Sequence, residues 1–137
     1  MVYVTRREKF SAAHRLFRSD WSDEKNFEIF GACSNPNWHG HNYQLFVTVK
    51  GNINAETGFV VNLKELSKII RHHILRKLDH RNINLEVEFM ENKIASTENL
   101  AKAVWDELLN PISQLGIELH CIKIVETENN YIEYFGD

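Results

Sequence analysis

Little in this chain stiffens or staples it. Two prolines, Pro36 and Pro111, and six glycines among 137 residues leave no linker and no low-complexity tract, and no internal repeat is visible. Two cysteines, Cys33 and Cys121, are too few for a disulfide framework, so both are expected as thiols in a reducing compartment. No apolar run approaches the ~20 residues of a membrane span. The opening MVYVTRREKF lacks the continuous apolar stretch of a signal peptide. A cytoplasmic protein with no membrane partner is expected. Cationic surplus is absent too: 16 basic residues face 19 acidic ones, for a net charge of −3. Counterion release then offers nothing to draw the chain onto nucleic acid, and no nucleic-acid partner is expected.

What is present fits one globular domain over residues 1–137, with 43% hydrophobic and 26% charged residues. Residues 2–16 read mostly as strand, with Phe10, Ala12 and His14 on one face and Ser11, Ala13 and Arg15 on the other. Residues 17–38 have no clean period and read as a long loop. Residues 39–53 alternate as a second strand, followed by turn chemistry at 54–58 and a short extended piece at 59–61. Asn62 and Glu65 resemble a capping box, and Leu63, Leu66, Ile70, Ile74 and Leu78 then form one helical stripe ending near Leu78. Residues 85–89 read as extended. Ser96 or Thr97 caps a second helix with Leu100, Val104 and Leu108, which Pro111 should end or kink before Gly116. Residues 117–126 and 131–135 read as strands around a turn at Glu128, Asn129 and Asn130. The order predicts an α+β fold with an antiparallel sheet.

Seven histidines are many for this length, and their placement is sharper than their number. His39 and His41 are two apart on a strand, hence on one face, with Gly40 leaving the position between them open. His14 lies on the strand expected to pair alongside. Opposed Cβ atoms in such a pair stand about 4.5–5.5 Å apart, so three imidazoles can gather. That donor set suits zinc with an open coordination position.

Cys33 lies six residues before His39. It can be read as an activated base or nucleophile, as a fourth zinc ligand, or as a small packed hydrophobe. Cys121 reads as core. Asp79 beside His80 fits a carboxylate-oriented acid–base imidazole, or an exposed pair answering a helix dipole. Glu126, at a strand end, can accept two parallel hydrogen bonds from an amidine-like edge, or stand as a surface carboxylate. Ser96 and Thr97 can contribute to a pocket or simply cap a helix. His72, His73 and His120 receive no role.

Together these residues resemble a known family. Phe10-Ser-Ala-Ala-His14-Arg-Leu, Cys33-Ser-Asn-Pro-Asn-Trp-His39-Gly-His41-Asn-Tyr, Gly58-Phe-Val-Val-Asn62-Leu, Leu78-Asp-His80-Arg-Asn, Ser96-Thr-Glu-Asn-Leu100 and Glu126-Thr-Glu-Asn-Asn130 stand in the order of the 6-pyruvoyl-tetrahydropterin synthase and 6-carboxy-tetrahydropterin synthase family. The resemblance implies the tunnelling fold, a four-stranded antiparallel sheet with two helices on one face, whose sheets join into an oligomeric barrel. A homohexamer, a dimer of trimers, is implied. So are zinc on His14, His39 and His41, a catalytic Cys33, a partner pair Asp79 and His80 from a neighbouring subunit, and a pterin-anchoring Glu126. The implied substrate is 7,8-dihydroneopterin triphosphate. The Asn-Pro-Asn insert before His39 and the Glu-Thr-Glu-Asn-Asn ending resemble the pyruvoyl branch. The alternatives are the carboxy branch, which serves queuosine synthesis and releases acetaldehyde, and a non-catalytic pterin- or zinc-binding module. Trp38 departs from the glycine that the resemblance implies before His-Gly-His, and residues 17–32 match nothing in it.

Overall fold

The structure, a computed structural model, describes residues 1–137. One sheet holds β1 (Val2–His14), β2 (His39–Gly51), β3 (Arg81–Asn82), β4 (Glu118–Thr127) and β5 (Asn130–Tyr134), in the spatial order β3-β1-β2-β4-β5. The four longer strands are antiparallel, as expected. The fifth corrects the expectation of four: β3 runs parallel to β1 and pairs with Ala12 and Ala13. The chain reaches that edge because His80 N donates to Ser11 O at 2.6 Å and Asp79 Oδ1 accepts from Ser11 N at 2.9 Å.

The helices number more than the two expected. α1 (Asp23–Phe30) lies in the stretch read as loop. Ser22 caps it, accepting from Lys25 N, and Asp23 and Glu24 fill its first turn. It carries no apolar stripe, since Asn26 is its one buried residue, so periodicity could not reveal it. α2 (Leu63–Ile70) continues through a π-helical turn (Arg71–Leu75) to Leu78, where the stripe predicted its end. Asn62 caps it by accepting from Lys64 N at 2.9 Å. Of the stripe, only Leu63 stays exposed. α3 (Ile83–Glu86) replaces the extended piece expected at 85–89, because Asn82 accepts from both Asn84 N and Leu85 N and so starts a helical turn. α4 (Thr97–Ser113) is capped by Ser96 and runs past Pro111 to Ser113. In the last turn Pro111 removes one donor, to the Glu107 carbonyl, and the helix tolerates it. Residues 59–61 form no strand.

One face of the sheet and these helices share the core. Phe10, Tyr43, Leu45, Val47, Ile122 and Ile124 from the strands pack with Leu66, Ile70, Ile74 and Leu78 of α2 and Leu100, Val104 and Leu108 of α4. Cys121 is buried, as its place in an alternating strand predicts. No helix is long and apolar enough to cross a membrane.

One carboxylate interrupts this apolar face. Glu8 is buried on β1, where its Oε1 accepts from Ser67 Oγ at 2.6 Å and Arg6 Nε at 3.0 Å, with Arg71 Nε at 3.4 Å. Burial pushes its pKa up, but the bonds from Ser67 and Arg6 and the charges of Arg6 and Arg71 outweigh that and hold it below the ordinary value. Glu8→Ala leaves the Ser67 hydroxyl unpaired in the interior. It is expected to cost about 1–3 kcal/mol in denaturant unfolding; an unchanged midpoint would show that the network contributes no net stability.

Candidate active site

The β1–β2 register puts His14 opposite His39 and Ala12 opposite His41. All three imidazoles then project to the helix-covered face, one pleat beyond Tyr43. Their ring centroids lie 4.5 Å (His14–His39), 5.0 Å (His39–His41) and 5.1 Å (His14–His41) apart. One ligand nitrogen from each comes within 4.8 Å of the others, and this group of three is the cluster in the protein that could hold a metal ion. Cys33 is not among its donors.

Two details test the fit to a metal. His14, 2% exposed, has its Nδ1 2.7 Å from the carbonyl oxygen of Ala95. A carbonyl only accepts, so the proton sits on Nδ1 and the lone pair on Nε2 is free. That Nε2 and His39 Nδ1 are buried with no hydrogen-bond partner. Orphaned polar atoms of this sort are costly unless something binds them. Burial also lowers the pKa of both His14 and His39, and for His39 the neighbouring His41 adds to it. Neutral imidazoles with free lone pairs are what a transition metal requires. The residues fit.

Glu126, at the end of β4, stands at the rim. Its Oε2 is 4.0 Å from His14 Nε2 and its Oε1 is 4.0 Å from His41 Nε2. Thr97 Oγ1 donates to the same carboxylate. Glu126 and Thr97 also line a cavity of about 470 Å³ with Leu16, Asn129 and Tyr131. The structure therefore brings Glu126 and Thr97 to the cluster. Ser96 does not join them, because its hydroxyl accepts from Asn99 N in the helix cap.

A matching family model, described as 6-pyruvoyl tetrahydropterin synthase, covers residues 3–137. The chain belongs to that family. The 6-pyruvoyl tetrahydrobiopterin synthase of Pongo abelii is 44% identical over 134 residues, covering 98% of this chain and 91% of that one. A solved 6-pyruvoyl tetrahydropterin synthase from Caenorhabditis elegans superposes with a TM-score of 0.92 at 37% identity, over 99% of this chain and 96% of that one. The 6-carboxy-5,6,7,8-tetrahydropterin synthase of Bacillus subtilis is 30% identical, over 90% of this chain and 78% of that one.

The remaining family-motif residues are not among the cluster's donors. Cys33 is exposed on a short 3-10 turn (Gly31–Ser34). That turn is tied to the end of β1: Leu16 N donates to Cys33 O at 2.8 Å and Arg15 Nε to Ser34 O at 2.8 Å. Asp79 and His80 pair at 3.0 Å, with His80 82% exposed on the strand edge. Tyr43 was not singled out in the sequence. Its hydroxyl is buried without a partner, and its ring lies 5.4 Å from that of His41 between centroids. Burial and the Glu126 charge push its pKa far above the ordinary phenol value, so it stays protonated. Extending the His39–His41 alternation by two residues would have found it.

The lowered histidine pKa values have a consequence for stability. Below the ordinary imidazole value of 6.5, the unfolded chain binds more protons than the folded one. In the metal-free protein the contribution from His14 and His39 is intact above about pH 6.5 and is lost as pH falls through their lowered native values. Thermal unfolding from pH 7.5 to 5 is expected to show Tm falling below that point, with a weaker fall in His14→Phe. An equal slope in that variant would place the pH sensitivity elsewhere.

Proposed function

We propose that the protein converts 7,8-dihydroneopterin triphosphate to 6-pyruvoyl-tetrahydropterin, with elimination of triphosphate, at a zinc ion held by His14, His39 and His41. One observation carries this reading: three convergent imidazoles, two of them with a buried nitrogen that has no hydrogen-bond partner, and a carboxylate 4.0 Å away that also lines a cavity. Family membership and the 44% identity to a 6-pyruvoyl tetrahydrobiopterin synthase support the same choice over the carboxy branch.

Bound zinc supplies Lewis acidity to the hydroxyls of the substrate side chain. Glu126 accepts two parallel bonds from the amidine-like edge of the pterin, and the Thr97 hydroxyl holds that carboxylate in orientation. Ser96 contributes through the helix cap that places Thr97. Cys33 takes and returns protons along the side chain, and His80 exchanges them while Asp79 orients its ring. The reaction is internally balanced. The ring gains the two hydrogens that the side chain loses as a hydroxyl-bearing carbon becomes a carbonyl, and loss of triphosphate leaves the second carbonyl. No nicotinamide or flavin is required. Cys33 and His80 are both at the surface, which is consistent with a homohexamer, a dimer of trimers, in which a neighbouring copy supplies Asp79 and His80.

Zinc-loaded protein incubated with 7,8-dihydroneopterin triphosphate is expected to yield a pyruvoyl pterin and free triphosphate by mass, and nothing after chelation. A carboxy pterin with acetaldehyde would assign the protein to the other branch. No product with zinc bound would overturn the enzymatic reading. Cys33→Ala is expected to keep zinc and fold but lose about 10²–10⁴-fold in turnover, the usual worth of a proton-transfer group. Wild-type turnover in that variant would remove Cys33 from the mechanism.

A further inference from the structure

His14 offers Nε2 to the cluster, and one bond decides that. Its Nδ1 proton is donated to the Ala95 carbonyl at 2.7 Å, which leaves the Nε2 lone pair free. With the proton on Nε2 instead, the free lone pair would face that carbonyl, and His14 would no longer be a ligand. The direction of a single backbone carbonyl therefore fixes the donor set. Residues 94–96, which carry it, belong to no helix or strand, and the Ala95 side chain is a buried methyl with nothing polar to anchor it.

A side chain of the neighbouring helix supplies the anchor. Asn99, in the first turn of α4, holds the segment on both sides of Ala95. Its Nδ2 donates to Ile94 O at 2.9 Å, and its backbone N donates to Ser96 Oγ at 3.2 Å. Only the nitrogen of the amide can face Ile94 O, because a carbonyl accepts and does not donate. Asn99 stands in the Ser96–Leu100 motif, where neither zinc nor pterin binding gives it a task. The same segment leads into Thr97, whose hydroxyl donates to Glu126. One clamped stretch thus serves both the buried ligand and the carboxylate at the rim.

We propose that Asn99 is a positioning residue of the metal centre. By clamping Ile94 it aims the Ala95 carbonyl at His14, and so selects the tautomer in which Nε2 is free. The proposal rests on the metal reading of the cluster. Bonds to the far nitrogen of a metal-binding histidine are commonly worth about 10–100-fold in metal affinity. Asn99 acts one bond further out, so the lower end of that range is expected. An aspartate at this position has the same shape but sets an oxygen against Ile94 O. Its charge suits the first turn of a helix, so it removes the clamp without weakening α4.

Two measurements on the full chain test this, with each variant first shown to be folded by circular dichroism. Nitrogen NMR of the metal-free protein reads which ring nitrogen of His14 carries the proton. Competition against a chromophoric chelator reads zinc affinity. The wild type is expected to show the Nδ1-protonated ring alone. Asn99→Asp and Asn99→Leu are expected to show a mixture of tautomers and zinc bound about tenfold more weakly. Ser113→Ala, which removes the bond from Ser113 Oγ to Leu109 O at the far end of the same helix, is expected to leave both readings as in the wild type. An unchanged tautomer and unchanged affinity in Asn99→Asp would overturn the proposal. So would a Ser113→Ala variant as impaired as the Asn99 variants, since a general loosening of α4 would then account for the effect. A wild type that takes up no zinc would overturn the metal reading. The tautomer comparison needs no metal and decides separately whether Asn99 governs the His14 proton.

Discussion

The pairing register of β1 against β2 is the constraint on which the site depends. Thirteen residue pairs in sequence, from Val2 opposite Gly51 to His14 opposite His39, are fixed by one alternation. Phe10 stacks on Tyr43 at 4.8 Å, Ala12 faces His41, and His14 faces His39. A slip of one residue would turn every member of β1 to the other face. Phe10 would be driven out of the core and His14 out of the cluster by the same movement. The hydrophobic energy that selects the register therefore also aligns the imidazoles, and no separate device is needed to bring the two strands' ligands together. The small side chain of Ala12, opposite His41, leaves room on the face that the three rings share.

Burial gives the cluster its chemistry and sets its demands. Deep in the core, His14 is held neutral by desolvation and oriented by the Ala95 carbonyl. Three polar atoms with no partner, His14 Nε2, His39 Nδ1 and the Tyr43 hydroxyl, lie within one small region. In a purely structural core such a concentration is destabilising, since each buried orphan costs about 1–3 kcal/mol. A site built to bind a cation and a polar ligand has that concentration by design of its chemistry. The buried acceptors that weaken the empty fold are what strengthen the occupied one.

Those parts of the fold that follow from periodicity were readable in the sequence. The alternation of Phe10, Ala12 and His14, the four-residue spacing of Leu66, Ile70, Ile74 and Leu78, and the strands around Glu128 all stand within a residue or two of where the pattern puts them. What escaped is held by polar bonds instead. α1 exposes Phe27 and Ile29 and buries Asn26, whose side chain bonds Arg18 in both directions, so no apolar period marks it. α3 begins because one asparagine side chain captures two amides, and β3 forms because Asp79 and His80 bond Ser11. In the site, the gathering of the three histidines was legible from strand position, whereas Glu126 at its strand end read equally as a surface carboxylate until the resemblance gave it a role. The Ala95 carbonyl was not, because any residue at that position presents the same atom.

The two halves of the chemistry are also distributed differently over the molecule. The imidazole cluster, with His14 buried and His39 and His41 partly exposed, is built on two long strands that cannot move without breaking the core. The residues proposed to move protons are exterior. Cys33 rides on a four-residue turn and His80 on a left-handed residue at the sheet edge, each tied to β1 by a few backbone bonds. This division follows from what each task requires. A metal site needs fixed donors and exclusion of water from the free lone pairs. A proton-transfer group needs access to solvent, so that it can recover its protonation state after each turnover, and enough freedom to approach its substrate. Rigid strands supply the first and short surface segments the second. Both segments are anchored to the same chain: Asp79 and His80 bond Ser11 of β1, and the Cys33 turn bonds Leu16 just beyond its end.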